Sequence, residues 1–324
     1  MTDLLFVATA HAVVVAERDG GEWAEVSRGL EGHRVTCITA HGDVVHAGTT
    51  EGAFRSLDRG RSWQPTNDGL TERHMRWLTH HPGDPAVLLA GTEPATIHVS
   101  RDAGTTWREC PEVARMRDEG GWYLPYSPAA GCVRGFALYG ARAYAAVEQG
   151  GMLRSGDMGE TWRLVEGSSG RPEREAPAGP VHPDVHSVNV HPSSPDRVTA
   201  ATGGGLYRST DGGSHWERLY RCYCRAVWLD PDDHDHLIFG PADSVDAGGR
   251  VEESVDGGET WRYASLGLDV PWRKHMVERF EQLGDEILAV LSNGHLVTAP
   301  LPDLAWRRIL PDVLDINAVA PLAM

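Results

Sequence analysis

Ser254-Val255-Asp256-Gly257-Gly258-Glu259-Thr260-Trp261 carries the pattern S-x-D-x-G-x-x-W, and the pattern recurs at residues 56–63, 100–107, 155–162 and 209–216. Such recurrence marks one repeated structural unit. Each residue type suits a tight turn: a short Asp accepts backbone N–H bonds, Gly takes a positive φ, and Trp anchors the strand that follows. Asp58, Asp102, Asp157, Asp211 and Asp256 are therefore read as turn-makers rather than catalytic or calcium-binding carboxylates. Two degenerate copies, AERDGGEW ending at Trp23 and APLPDLAW ending at Trp306, lose the Asp position. The seven tryptophans 23, 63, 107, 162, 216, 261 and 306 lie 40 to 55 residues apart, which suits a four-stranded blade with variable loops.

The repeat resembles the Asp-box of bacterial neuraminidase-type (BNR) repeats, found in propellers that include sialidases, sortilin-type receptors, xyloglucanases and photosystem II assembly factors. The resemblance and the tryptophan count together predict an all-β fold, a single seven-bladed β-propeller of four-stranded antiparallel blades spanning 1–324. In the second blade the strands are expected at 35–39, 44–47, 53–56 and from 63 onward. The first unit starts directly with the strand at 4–9 and has no room for an innermost strand. The tail from Asp315 to Ala320 has the missing pattern, so blade one is predicted to combine residues 1–30 with 312–322 and to close the ring without a free edge.

Composition narrows the function. The chain has 30 basic and 46 acidic residues and a formal charge of -16, which repels nucleic-acid phosphates and anionic lipid, so neither nucleic acid nor membrane is predicted as a partner. Its 37 Gly and 20 Pro suit short strands and turns better than long helices. Cys37, Cys110, Cys132, Cys222 and Cys224 form an odd set without C-x-x-C, which suggests neither disulfides nor a zinc site. The apolar start is interrupted by His11 and lacks a basic flank, so no signal peptide is read and a cytoplasmic location is expected. No cofactor and no metal are predicted. His182, His186 and His191 alternate along one strand and would not converge; His74, His186 and His275 come from separate blades and form the one histidine set that could.

Function is expected on the face opposite the Asp turns, where the loops entering each innermost strand and those after its neighbour surround the channel mouth. Aligning the seven innermost strands by their downstream turns predicts a ring of Asp315, Thr36, Arg76, Arg134, His186, Arg225 and Glu278. A packing position should be apolar, yet this one holds three arginines, a histidine and two acids. Arginine's planar fork suits carboxylate, phosphate or sulfate, so Arg76, Arg134 and Arg225 are predicted to bind an anionic group. The opposing reading pairs them with Glu278, Asp315, Glu93 and Glu148 as links between blades. Two long insertions, one with Trp122, Tyr123 and Tyr126 and one from Arg171 to Pro183, are expected to overhang the mouth, with Tyr223, Trp272 and His275 on its wall.

Three functions compete on these residues. A propeller binding a small anionic molecule or acidic sugar is favoured; hydrolysis or elimination would use Glu93, Glu148, Glu278 and Asp315 as acid–base groups and His186 as proton shuttle. A scaffold for a protein partner is the alternative, since photosystem assembly factors resemble the chain in blade count and in an arginine-rich patch. A sialidase-like glycoside hydrolase is third: sialidases resemble it in having three arginines but are six-bladed with an Arg-Ile-Pro motif absent here, and only Tyr223 with Glu278 suggests a nucleophile pair. Xyloglucanases resemble two propellers clasping a glycan.

Overall fold

The computed structural model describes residues 3–168 and 179–322. The described strands form seven four-stranded antiparallel sheets. Their innermost strands are Ile316–Leu322, Val35–His41, Met75–His81, Cys132–Tyr139, Val185–His191, Tyr223–Leu229 and Val277–Leu283, for blades one to seven. Each packs against the next around a closed circle. Ile316–Leu322 pairs antiparallel with Leu4–Thr9, with Phe6 opposite Ala320 and Val7 opposite Val319, so the predicted seven-bladed propeller and its closure are both found.

The cores lie between blades rather than within them. Seven apolar clusters each bridge one boundary: Phe6 and Val15 meet Val35 and Val45 between blades one and two, and Leu5 and Val7 meet Leu288 and Val290 between one and seven. Both faces of a middle strand such as Val13–Asp19 begin buried, which explains its unbroken start Val13-Val14-Val15-Ala16 where a half-exposed strand would alternate.

The five complete turns share one hydrogen-bond set. Each Ser hydroxyl donates to the Asp two residues on, at 2.6–2.9 Å, and accepts from the Gly N–H four residues on, at 2.7–3.0 Å. The Asp then accepts from the backbone N–H and side chain four residues on, for Asp157 both from Thr161 at 2.9 and 2.6 Å. In the fourth copy His215 Nδ1 takes the hydroxyl's place against Asp211 at 2.6 Å. Glycine is required twice over at Gly159: its φ is +84°, and a Cβ there would meet Leu89 of the preceding blade at 2.6 Å.

The insertion after Trp107, expected to overhang the mouth, contains the helix Pro111–Gly120, closed by Gly121 at φ +59°. Its signals were present: Pro at the start, Glu112 in the first turn, Arg117 in the last, Gly at the end. Glu112 Oε1 accepts the backbone N–H of Trp162 at 2.8 Å, fastening the helix to blade four. Residues 169–178 of the second insertion lie outside the described residues. No helix among the described residues is long and apolar enough to cross a membrane.

Because the Asp157 carboxylate holds its turn through three hydrogen bonds, Asp157→Ala is expected to cost about 1–2 kcal/mol. Chemical denaturation checks this, with Asp157→Asn as the milder comparison.

Candidate functional site

Every innermost strand carries a register shift at the same level. Between paired neighbours the ladder skips Asn317, Thr36, Arg76, Arg134, His186, Arg225 with Ala226, and Glu278. A bulge of this kind leaves a residue unpaired and re-aims its side chain. Six of the seven positions are those read from the sequence. In blade one the position belongs to Asn317, and Asp315 stays outside: it precedes the strand with φ +55° and pairs with His11 at 3.3 Å, its side chain 60% exposed. Two residues share a strand face, so the period-two pattern could not separate 315 from 317.

Three ring side chains stitch neighbouring blades. Asn317 Nδ2 donates to Val35 O at 2.7 Å, Thr36 Oγ1 to Met75 O at 2.6 Å, and His186 Nδ1 to Cys224 O at 2.8 Å. Each acceptor is the residue just before the next blade's bulge. The four charged members form ion pairs instead. Arg134 bonds Glu148 at 2.9 Å and, across the channel, Glu278 at 2.8 Å. Glu278 also accepts from Arg225, which pairs with Asp246 at 3.2 Å. Arg134, Glu278 and Arg225 thereby bar the channel.

Above this bar lies a cavity of about 710 Å³, lined by Arg34, Arg76, Arg134, Arg225 and Arg279 against Glu93, Glu148, Asp246 and Glu278. Five cations face four carboxylates, a small positive excess in a chain of formal charge -16. Tyr126 and Ser127 of the insertion reach its rim, and Ser127 Oγ donates to Glu93 Oε1 at 2.8 Å. Below the bar a second chamber of about 380 Å³ has Trp77, Phe136, Trp228 and Phe280 among its walls. There Arg279 stacks over Trp77 at 4.0 Å, and burial raises Glu281 to about 7 despite Arg279.

The arginines set the protonation states. Burial would raise Glu148, but Arg134 and His186 hold it down to about 2. Burial opposes ionisation of Glu278 as well, and Arg134 with Arg225 overcomes it, so its carboxyl lies below the ordinary range. Burial disfavours charged His186, yet Asp184 and Glu148 hold its pKa above the usual value. The Tyr223 hydroxyl is pushed up to about 12, chiefly by burial.

Other expected site residues are dispersed. His186 faces the lower chamber, beside Tyr223 at 5.0 Å between ring centroids, and Tyr223 lines a separate groove between blades five and six. Trp122 does not overhang the mouth; it is buried between blades three and four with Val113 and Val147. His275 lines another cavity at blade seven, stacked on Trp272 at 4.8 Å. His74 borders the mouth, and His74, His186 and His275 form no common cluster among the described residues. Sequence reading missed Arg34, Asp246 and Arg279 on the mouth and Asp184 beside His186. Arg279 had no signal, since alternation turns the residue after Glu278 away and only the bulge admits both.

No family model matches the chain, and no curated protein sequence matches it. Solved structures do resemble it in fold. An ancestral GH74 enzyme superposes with a TM-score of 0.62 at 16% identity, covering 89% of this chain and 38% of its own length. YCF48 bound to D1 peptide gives 0.61 at 14% identity, covering 88% and 84%. YCF48 from Cyanidioschyzon merolae gives 0.60 at 14% identity, covering 93% and 96%. The chain thus spans well under half of the GH74 enzyme and most of YCF48, and at these identities the likeness establishes the shared propeller fold alone.

Arg134→Ala would leave Glu148 and Glu278 buried without their common cation, and is expected to destabilise by about 3 kcal/mol; urea denaturation against Arg34→Ala, expected within about 0.5 kcal/mol of wild type, checks this. Glu148 falls from an ordinary 4.5 to about 2 in the fold, so its contribution is complete above the higher value and lost as pH falls towards the lower. The acid limb of the stability–pH curve is expected to be shallower in Glu148→Gln.

Proposed function

We propose that this propeller binds a small anionic molecule in the cavity at its channel mouth, with Arg76 and Arg34 as the direct contacts. One observation carries the reading. The Arg76 guanidinium borders the cavity, its side chain 26% exposed, and its partner is Glu93 at 3.1 Å, in a geometry that leaves Glu93 Oε2 without a hydrogen bond. Its remaining N–H groups are available for a carboxylate or phosphate. Among the described residues the Arg34 side chain has neither ion pair nor hydrogen bond and stands at the same rim. Arg134 and Arg225, by contrast, spend their donors on Glu278 and serve as a positive floor.

Chemistry on such a ligand, whether hydrolysis or elimination, would fall to Glu93. Glu148 and Glu278 are held ionised by their arginines, which makes them poor proton donors and weak bases at neutral pH. The high pKa of Tyr223 and its contact with His186 disfavour the sialidase-like Tyr223–Glu278 pair. A second reading, docking of an acidic segment of a protein partner at the same mouth, draws on the solved YCF48 bound to D1 peptide and on Tyr126, 59% exposed at the rim.

Thermal shift with phosphate, sulfate, citrate, glucuronate and sialic acid tests this. At least one is expected to raise the melting temperature of wild type at millimolar concentration and to lose that effect in Arg76→Ala, while Arg225→Lys still responds. If no anion stabilises the wild type, or if Arg76→Ala responds equally, the small-ligand reading fails and the scaffold reading takes precedence.

A further inference from the structure

We propose a divalent transition-metal site formed by Glu148, Asp184 and His186, at the boundary of blades four and five and apart from Arg76. One ligand atom from each lies within 4.8 Å of the other two, and all three residues are buried. Glu148 ends the second strand of blade four, His186 occupies the ring position of blade five, and Asp184 stands just before that strand. The bulge at His186 brings the three together.

Two further observations distinguish this cluster from a chance meeting of acids. His186 Nδ1 lies 2.8 Å from the carbonyl oxygen of Cys224; a carbonyl only accepts, so Nδ1 carries the proton and Nε2 is the inward-facing nitrogen. Metal-binding histidines are oriented in this way. Asp184, 7% exposed, has an Oδ1 that is fully enclosed and receives no hydrogen bond from outside the cluster. That oxygen is 3.3 Å from His186 Nε2, close to the roughly 3.4 Å between two tetrahedral ligands bound at about 2.1 Å. The Tyr223 hydroxyl, 3.3 Å from Nε2, flanks the position.

Donor chemistry selects the ion. One imidazole and two carboxylates suit Zn²⁺, Mn²⁺, Fe²⁺ or Co²⁺ better than Ca²⁺ or Mg²⁺, which favour oxygen alone. The carboxylates neutralise a dication, and Arg134 at 2.9 Å orients Glu148 from outside. Asp233, His234 and Asp235 form the other cluster of such groups among the described residues. They are consecutive in an open turn, with Asp233 exposed, and supply an internal control.

The test uses untagged full-length protein, stripped with chelator, desalted, and titrated with Zn²⁺ or Mn²⁺, with bound metal measured by mass spectrometry. About one ion per chain is expected to survive desalting, with tenfold or greater weakening in Asp184→Asn and in Glu148→Gln, and unchanged retention in His234→Asn. Co²⁺ loading is expected to give a visible absorption that His186→Gln alters. Folding of each variant is verified by thermal melts, and either carboxylate variant suffices if the other fails to fold. Absence of stoichiometric metal in wild type, full retention in the folded Asp184→Asn or Glu148→Gln protein, or loss confined to His234→Asn would overturn the proposal. None of these outcomes depends on Arg76, so this site and the anion site stand or fall separately.

Discussion

The pairing of Ile316–Leu322 with Leu4–Thr9 is the interaction on which the rest of the molecule rests. Each blade covers its apolar faces only with its two neighbours, so a stable blade needs both of them. Closing blade one with a strand from the other end of the chain gives every boundary an apolar cluster and leaves no exposed edge at the centre. The innermost strands are held at one level by that closure, and the channel mouth is a consequence of it.

At that level the molecule divides one structural position between two uses. Asn317, Thr36 and His186 tie their blade to the backbone of the next. Arg76, Arg134, Arg225 and Glu278 forgo that tie and take up ion pairs at the channel. Replacing a neutral hydrogen bond by a half-buried ion pair adds desolvation cost for at best a comparable return. The charged members are therefore poorly explained by stability alone. The bar between Arg134 and Glu278 does contribute a contact between blades four and seven, which only the channel separates. Arg76, whose partner holds it without a hydrogen bond, has no equivalent structural duty.

The turn-bearing face and the mouth face have different chemistry for a physical reason. On the first, each Asp is satisfied within four residues of itself, by Ser, backbone and hydroxyl groups of its own turn. Such carboxylates have little capacity left for a ligand. On the second, Arg76–Glu93, Arg134–Glu148 and Arg225–Asp246 pair within single blades, and Glu278 joins Arg134 to Arg225 across three blades. That difference separates a repeated structural device from a charge cluster assembled by the tertiary structure.

What the sequence alone determined was local and repeated. The S-x-D-x-G-x-x-W turns, the seven tryptophans and the strand pattern of the C-terminal tail each declare themselves within a few residues, and together they fix blade number and closure. The helix Pro111–Gly120 carries the same kind of local signal, in its initial Pro and the Gly that closes it. Only the tertiary structure decided that Asn317 rather than Asp315 joins the ring, that Glu278 spans 144 residues of chain to reach Arg134, that Trp122 packs inward, and that Asp184 meets His186 and Glu148. These outcomes turn on bulges that break strand alternation and on encounters across the channel. Both arise from how distant blades meet, and a pattern confined to one repeat carries no record of either.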